Sequence, residues 1–345
     1  MSKKVLITGV TGQDGSLMVD YLLKNTDYSI VGTVRRLSVS NHQNISHVTV
    51  KRFKLLDLDV TDSINTTLIV QEEKPDYFIN FAANSFVGTS WKMPVNHMNT
   101  NAMPVMYQLE ALRRFAPNCR YYNAGSSEQF GDVDYSPQDI YHPFKPRSHY
   151  GVSKCTAHHI VKGWRESYNM YAVQGILFNH EGVRRGEEFL PRKISKGVAR
   201  IKKAINNGVR FDPILVGNLE SSRDWSDAED FVDGIWKMLN QKKPEDYVLA
   251  SGEAYSIKEL IDFAFKAVNI SCRWEGKNES MCLRTVGIVS DPLVKVSKEL
   301  FRPAEVNLLC GYSFPAKEDL KWEPKTSFEE LIKKMVLNDL KNGKT

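Results

Sequence analysis

Cysteine is scarce and scattered in this 345-residue chain. Cys119, Cys155, Cys272, Cys282 and Cys310 are an odd number with no close C-x-x-C pair. That pattern supports neither a disulfide framework nor a thiolate zinc site, and reduced thiols are expected. No apolar run reaches the roughly 18 residues that a membrane-spanning helix needs, and no charged-then-apolar leader opens the chain, so the expectation is a cytoplasmic protein. Internal repeats and low-complexity linkers are absent as well. Charge of one sign is not dominant: 46 Lys and Arg against 41 Asp and Glu leave a net charge of +5. Part of that excess crowds Arg184, Arg185, Arg192, Lys193, Lys196, Arg200, Lys202 and Lys203, but no nucleic-acid motif accompanies it. A solvated helix face from Lys196 onward, or cations holding a small polyanion such as a nucleoside diphosphate, accounts for it better. His158 and His159 are adjacent, a spacing at which two imidazoles cannot easily converge on one metal, and no metal site is expected.

What is present begins at the N-terminus. Lys4 to Thr8 is a short apolar run suited to a buried parallel strand, and Gln13 to Leu23 carries Leu17, Tyr21 and Leu22 on one helical face. Between them Gly9, Gly12 and Gly15 recur at spacing three. Without side chains, such a turn lets backbone N–H groups approach a pyrophosphate at the positive end of the helix. Gly9, Thr11, Gly12, Gln13, Asp14 and Gly15 are therefore candidates for holding a dinucleotide. One strand further on, Tyr28 to Val34 ends in Arg35-Arg36, where an NAD enzyme usually places a carboxylate. Two guanidiniums there suit the extra phosphate of NADP. Asp59 and Val60, after the third apolar run, are expected near the adenine edge.

Tyr150 and Lys154 stand four residues apart at the head of a helix-patterned stretch, which puts a phenol and an ammonium on one face. The positive charge favours the phenolate. A free tyrosine titrates near about 10, so a second positive charge such as an oxidised nicotinamide is also required. Tyr-x-x-x-Lys alone is a weak signal, and its weight here comes from the glycine turn.

Strands alternate with helices through about residue 178: strands near Phe53 to Leu58, Tyr77 to Ala82, Tyr121 to Gly125 and Tyr171 to Phe178, with helices near Ser63 to Gln71 and Met98 to Phe115. This order predicts an α/β fold, a doubly wound parallel sheet of the Rossmann type with right-handed crossovers. Beyond it Asn179 to Asp212 is irregular, while Trp225 to Leu239 and Ile257 to Val268 read as helices. The expected organisation is a dinucleotide-binding domain of residues 1–178 plus about 216–244. A smaller discontinuous substrate domain, about 179–215 and 245–345, would cap the C-terminal ends of the strands.

Longer segments carry a resemblance: Gly9-Val-Thr-Gly-Gln-Asp-Gly15, Pro143-Phe-Lys-Pro-Arg-Ser148, Gly175-Ile-Leu-Phe-Asn-His-Glu181, Arg184-Arg-Gly-Glu187, Arg192-Lys-Ile194, Gly217-Asn-Leu219, Arg223-Asp-Trp225 and Phe301-Arg-Pro-Ala-Glu-Val306. Nearly end to end, the chain resembles the GDP-mannose 4,6-dehydratase family of extended short-chain dehydrogenases/reductases. The resemblance implies NADP as cofactor and a GDP-sugar as substrate. It also implies Ser126 on the sugar O4, Glu128 as a second acid/base group beside Tyr150 and Lys154, and Asn179, Lys193, Arg223 and Arg302 on the GDP moiety with Glu305 on its ribose. A homodimer or homotetramer is implied too, with the loop from Arg35 to Val39 near a neighbour's cofactor.

Four features depart from the family's pattern: Phe86 stands for histidine, Ser126 for threonine, His149 for proline and Pro104-Val105 for Gly-Thr. They lie in segments expected to border the sugar, and they tilt the expectation from GDP-mannose to a GDP-manno-heptose with one more carbon. An epimerase or reductase on the same scaffold, or a non-catalytic NADP-binding scaffold, stays open beside the dehydratase. Glu128 after Ser126-Ser127 favours dehydration, and a binding module needs none of Tyr150, Lys154 and Glu128.

Overall fold

The computed structural model describes residues 2–286, 291–301 and 304–342. The chain runs through β1 (Lys4–Thr8), α1 (Gln13–Asn25), β2 (Ser29–Val34), β3 (Phe53–Asp57), α2 (Ser63–Glu73), β4 (Tyr77–Asn80), α3 (Pro94–Asn101), α4 (Met103–Phe115), β5 (Arg120–Ala124), α5 (His149–Tyr168) and β6 (Ala172–Leu177). It continues with β7 (Asn179–Glu181), α6 (Leu190–Asn206), β8 (Ile214–Val216), β9 (Ser222–Asp227), α7 (Ala228–Leu239), β10 (Tyr247–Leu249), β11 (Ala254–Ser256) and α8 (Ile257–Lys266). Last come β12 (Cys272–Glu275), β13 (Cys282–Thr285), β14 (Val294–Val296), β15 (Leu308–Leu309), α9 (Phe314–Leu320) and α10 (Phe328–Asn342).

Seven strands form one sheet in the order β10-β6-β5-β4-β1-β2-β3, with every neighbouring pair parallel. Strand alternation divides its core in two. Val5 and Ile7 point into one layer with Met18, Leu22, Phe231 and Ile235. Leu6 points into the other with Val70, Phe78, Leu109 and Val161. Burying each of these β1 side chains contributes about 1.5–3 kcal/mol. The chain builds outward from β1 to β3 and then returns to place β4 on the other side of β1. At that reversal the connections part and leave a crevice beyond the strand ends.

Two smaller sheets follow. In one, β9 is paired with β7, β11 and β15; the other runs β12-β13-β14-β8. Between β8, β13 and β14 and the helices α6, α8 and α10 lies a third core, containing Ile194, Val198, Phe265, Leu283 and Val336.

Several boundaries differ from the sequence reading, each for a local reason. The stretch Met98 to Phe115 is two helices, because Pro104 has no N–H to donate to Thr100 and its ring crowds that turn. Trp225 belongs to β9, and the helix starts only at Ala228, where the Asp227 carboxylate accepts from Glu229 N at 3.0 Å. The irregular stretch after Asn179 contains the 17-residue α6. From the region read as the smaller domain, β10 returns to the edge of the large sheet, and buried Trp322 joins its core, donating from Nε1 to Asp230 O at 2.8 Å. Among the described residues no helix is long and apolar enough to cross a membrane, and no cluster of three or more His, Cys, Asp or Glu could hold a metal ion.

Candidate active site

A cavity of 1220 Å³ lies beyond the C-terminal ends of β1, β4, β5 and β6, where Gly9, Ala82, Gly125 and Phe178 line it. The glycine turn is pressed between neighbours. Gly9 has φ +68°, and a Cβ there would meet Ala82 N at 2.8 Å; a Cβ on Gly15 would lie 2.4 Å from Gly9 O. Gly12 caps α1 with no side-chain partner, whereas Asp62, Ser148, Asp227 and Ser256 cap α2, α5, α7 and α8. The turn thus leaves uncapped backbone donors, a flat cradle and the positive end of a helix at the cavity wall, which fits a dinucleotide pyrophosphate.

Thr11, Gln13, Asp14, Asp59 and Val60 line the same cavity. Asp59 turns inward on its own loop, accepting from Thr61 N at 3.0 Å and Thr61 Oγ1 at 2.7 Å. Arg35 lines the cavity; Arg36, also exposed, does not. Asn44, which the sequence reading missed, donates from Nδ2 to Thr11 O at 3.0 Å and joins the lining. Its short helical turn carries no motif that could have revealed it.

The pairing of Asp14 with His180 was also missed. His180 Nε2 lies 2.9 Å from Asp14 Oδ2, its Nδ1 lies 2.7 Å from Phe178 O, and Gln13 Nε2 donates to His180 O at 3.1 Å. Burial raises the Asp14 carboxyl, but the charge and hydrogen bond of His180 outweigh it and hold Asp14 at about 2. Burial lowers His180, and Asp14 reverses that, leaving the imidazole above its ordinary value. The two ends are 166 residues apart, and the pair ties the glycine turn to β7.

On the facing wall, Ser148 Oγ accepts from Gly151 N at 3.0 Å and starts α5, so that Tyr150 and Lys154 enter the cavity one turn apart. Lys154 Nζ donates to Ala124 O at 2.7 Å and stands 5.8 Å from the Tyr150 ring centroid. Burial pushes the Tyr150 phenol up to about 12, with Glu128 and Asp14 adding to it, against a hydrogen bond from Ser126 and the charge of Arg185. Burial likewise pushes Lys154 down to about 8, opposed by Asp14. In the protein alone, therefore, burial outweighs the favouring of phenolate that the lysine spacing led us to expect. Ser126 Oγ accepts from Glu128 N at 3.2 Å and caps the turn that brings half-buried Glu128 to the cavity.

Opposite, Asn179 from β7, Lys193 from α6, Arg223 from β9 and Glu305 line the cavity. Arg223 Nη2 lies 3.4 Å from Glu305 Oε1, and its Nη1 donates to Ser222 O at 2.9 Å. Burial pushes the Lys193 ammonium down. Arg302 lies outside the described residues. The departures from the family pattern separate here: Phe86 and Ser126 line the cavity, whereas His149 is exposed away from it and Pro104 and Val105 are buried at the start of α4. Phe86 meets Phe189 edge-on at 5.6 Å, and the Arg185 guanidinium lies 3.5 Å over the Phe189 ring.

The family described as GDP-mannose 4,6 dehydratase matches residues 6–335. The GDP-mannose 4,6-dehydratase of Vibrio cholerae is 40% identical, with 99% of this chain and 95% of that protein covered. The GDP-mannose 4,6 dehydratase of Drosophila melanogaster is also 40% identical, over 98% of this chain and 86% of that protein. Among solved structures, a dTDP-glucose 4,6-dehydratase from Streptomyces venezuelae superposes with a TM-score of 0.82 at 18% identity, covering 98% and 97% of the two chains. A UDP-glucose 4-epimerase from Thermotoga maritima superposes with a TM-score of 0.81 at 20% identity, covering 99% and 100%. At these identities the likeness speaks to the fold.

Proposed function

We propose, from the premise that the chain belongs to the GDP-mannose 4,6-dehydratase family, that it converts a GDP-linked manno-configured sugar to the 4-keto-6-deoxy derivative. The observation that carries this reading is the presence of Glu128 beside Tyr150, Lys154 and Ser126 on one cavity wall, facing Asn179, Lys193, Arg223 and Glu305. Removing water across C5 and C6 needs a second acid/base group that a simple alcohol oxidation does not.

Ser126 and Tyr150 hold the sugar O4, and Tyr150 takes its proton as C4 is oxidised. The Gly9–Gly15 turn would hold a nicotinamide dinucleotide, which would supply the hydride acceptor for C4 and the hydride donor for C6 with no net change in its own oxidation state. The 4-ketone acidifies the proton on C5. Glu128 removes that proton and assists departure of the C6 hydroxyl as water; hydride at C6 and a proton at C5 complete the product. Arg223 and Lys193 balance the diphosphate charge, and Glu305 accepts from the ribose hydroxyls. In this reading residues 1–178 plus about 216–244 form the dinucleotide domain, with β10 and Trp322 added to its sheet and core, and the remainder holds the GDP-sugar.

For the sugar itself, GDP-D-glycero-D-manno-heptose is favoured over GDP-mannose. Phe86 and Ser126 at the cavity wall support this, while His149 and Pro104-Val105 no longer do. Incubating the protein with GDP-mannose, the GDP-heptose and UDP-sugars, followed by mass spectrometry, tests the reading. Loss of water from a GDP-sugar is expected, most rapidly from the heptose. A product of unchanged mass would point to an epimerase, and no reaction with any GDP-sugar would sink the dehydratase reading.

NADP is the favoured cofactor, and Arg35 is the residue of the pair that lines the cavity. Arg35→Ala is expected to erode the NADP-over-NAD preference by about 10- to 100-fold, the loss of one charge-assisted contact, while Arg36→Ala leaves it within a few-fold. Equal preference in wild type and Arg35→Ala would remove the assignment. Light scattering on the same preparations is expected to give a homodimer or homotetramer, and a stable single-chain mass would refute that.

A further inference from the structure

Gln138 is fully buried, 0% exposed, and lies outside the cavity. It sits on the excursion of residues 131–147, which leaves the Ser126–Glu128 turn and returns as α5. The base of this excursion is pinched shut: Asp132 N donates to Lys145 O at 3.0 Å and Lys145 N donates to Phe130 O at 3.1 Å. Gly131 has φ +60° there, and a Cβ would lie 1.9 Å from Lys145 O. In its middle, Asp134 N donates to His142 Nε2 at 3.0 Å, and His142 Nδ1 lies 2.8 Å from Pro143 O. At the tip, Gln138 bonds the excursion to the segment around Cys310. Gln138 N donates to Cys310 O at 2.8 Å, Tyr312 N donates to Gln138 O at 2.8 Å, and Cys310 N donates to Gln138 Oε1 at 3.0 Å. Its Nε2 donates to Tyr135 O at 2.9 Å, so the side-chain amide is engaged at both ends.

The segment it grips belongs to the opposite wall. Cys310 follows β15, whose Leu309 is in register with Arg223 on β9, and Glu305 lies a few residues upstream. Buried Asp224 fixes the same segment, accepting from Gly311 N at 3.2 Å, Gly252 N at 2.8 Å and Ser251 N at 2.8 Å. Phe130, Phe178, Val306 and Leu309 share one apolar cluster beneath it, with Val133 packed against them. One rigid arm therefore carries Glu128 and Tyr150 at its base and is bonded at its tip to the strand beside Arg223.

We propose that Gln138 is a positioning residue, setting the separation between the Glu128–Tyr150 pair and the Arg223–Glu305 end so that a sugar held by its nucleotide presents C4 and C5 correctly. This rests on the reading of the two walls given above. Gln138→Leu keeps much of the volume but strips Cys310 N and Tyr135 O of their partners. Turnover of the GDP-sugar is expected to fall by about 10- to 100-fold, as for a small misplacement of reacting groups. Affinity for GDP alone, measured by calorimetry, is expected to stay within about twofold. Val133→Ala, in the same cluster, is the control: it is expected to lower the melting temperature and leave kcat unchanged. Gln138→Glu keeps the oxygen that Cys310 N donates to and is expected to fall between wild type and Gln138→Leu; it carries the comparison if the leucine variant does not fold. A readout without turnover is amide exchange on GDP binding. Wild type is expected to gain protection both near Arg223 and across residues 126–150, and Gln138→Leu only near Arg223. The proposal is overturned if kcat is unchanged in Gln138→Leu, if GDP affinity falls in parallel with kcat, if Val133→Ala loses as much kcat, or if the transmitted protection survives. Wild type that binds GDP and transmits protection but dehydrates no GDP-sugar would refute the proposed reaction while supporting the Gln138 coupling; failure to bind GDP would refute both.

Discussion

Tyr150→Phe is expected to lower overall turnover by about 100- to 10,000-fold and to stop the reaction before any 4-ketone forms, whereas Glu128→Gln is expected to stop it afterwards. The asymmetry follows from the two groups' places on one wall. Tyr150 is buried against Ser126 and Lys154, and the proposed mechanism assigns it the O4 proton whose loss accompanies oxidation at C4. Glu128 is half-buried on the neighbouring turn and is assigned to C5. With Glu128→Gln, reduced dinucleotide and 4-keto sugar should accumulate together, and water should remain on C6. With Tyr150→Phe neither should appear. Isotopes sharpen the test: substrate deuterated at C4 should give wild-type product with that deuterium at C6, and in deuterium oxide C5 should take up label. Unlabelled C6 would exclude the internal transfer of hydride. A Glu128→Gln protein that blocks oxidation as completely as Tyr150→Phe would remove the division of labour proposed here.

The parts of this fold and site that were legible in the sequence are those whose physics is local. The glycine turn is one, since the missing side chains at Gly9 and Gly15 and the helix after them lie within a dozen residues. The strand-helix alternation that gives β1 to β6 is another, because apolar runs buried on both faces, as in β1, β2, β4 and β6, leave a clear pattern, while β3 at the sheet edge buries none of its residues. The rest depends on partners far away in the chain. Nothing near Asp14 indicates that His180 will pair with it, and nothing near Tyr247 indicates that β10 will find β6. Arg35 and Arg36 are chemically identical, and only the backbone direction after β2 brings one of them to the cavity. The i, i+4 spacing of Tyr150 and Lys154 correctly gave a shared face, but it could not give the depth of burial, which dominates both titrations. That depth is set by α3, α4, β6 and the 127–129 turn packed against α5, with His97 of α3 edge-on to the Tyr150 ring.

Burial of Lys154 leads to the second large effect: Lys154→Met is expected to lose the reaction by about 100-fold or more while gaining stability at neutral pH. Lys154 is 5% exposed, and burial moves its ammonium from 10.5 to about 8. A lysine whose folded value lies below its unfolded one binds fewer protons folded than unfolded between about 8 and 10.5, so stability rises with pH across that window. Below about 8 both states are protonated, and the folded protein bears the whole cost, about 3 kcal/mol at 1.36 kcal/mol per pH unit. Methionine removes that cost but leaves Ala124 O without the 2.7 Å bond from Nζ, which costs about 1 kcal/mol or more. The net gain at pH 7 is about 1–2 kcal/mol. Tyr150, raised to about 12, contributes a slope of opposite sign only above about 10, and it does so in both proteins. Denaturant melts of wild type and Lys154→Met from pH 7 to 10 should therefore start with the variant ahead, draw together as the wild type sheds the lysine proton, and cross at about pH 9, because the loss of the bond to Ala124 O persists at every pH. A wild type that is the more stable at pH 7, or a difference that does not change with pH, would mean that this lysine is not held as a buried cation. If the curves do cross, the charge beside Tyr150 is maintained at neutral pH against the stability of the fold. The site then keeps a group that packing alone would replace, as the role proposed for Lys154 beside Tyr150 in the oxidation at C4 predicts.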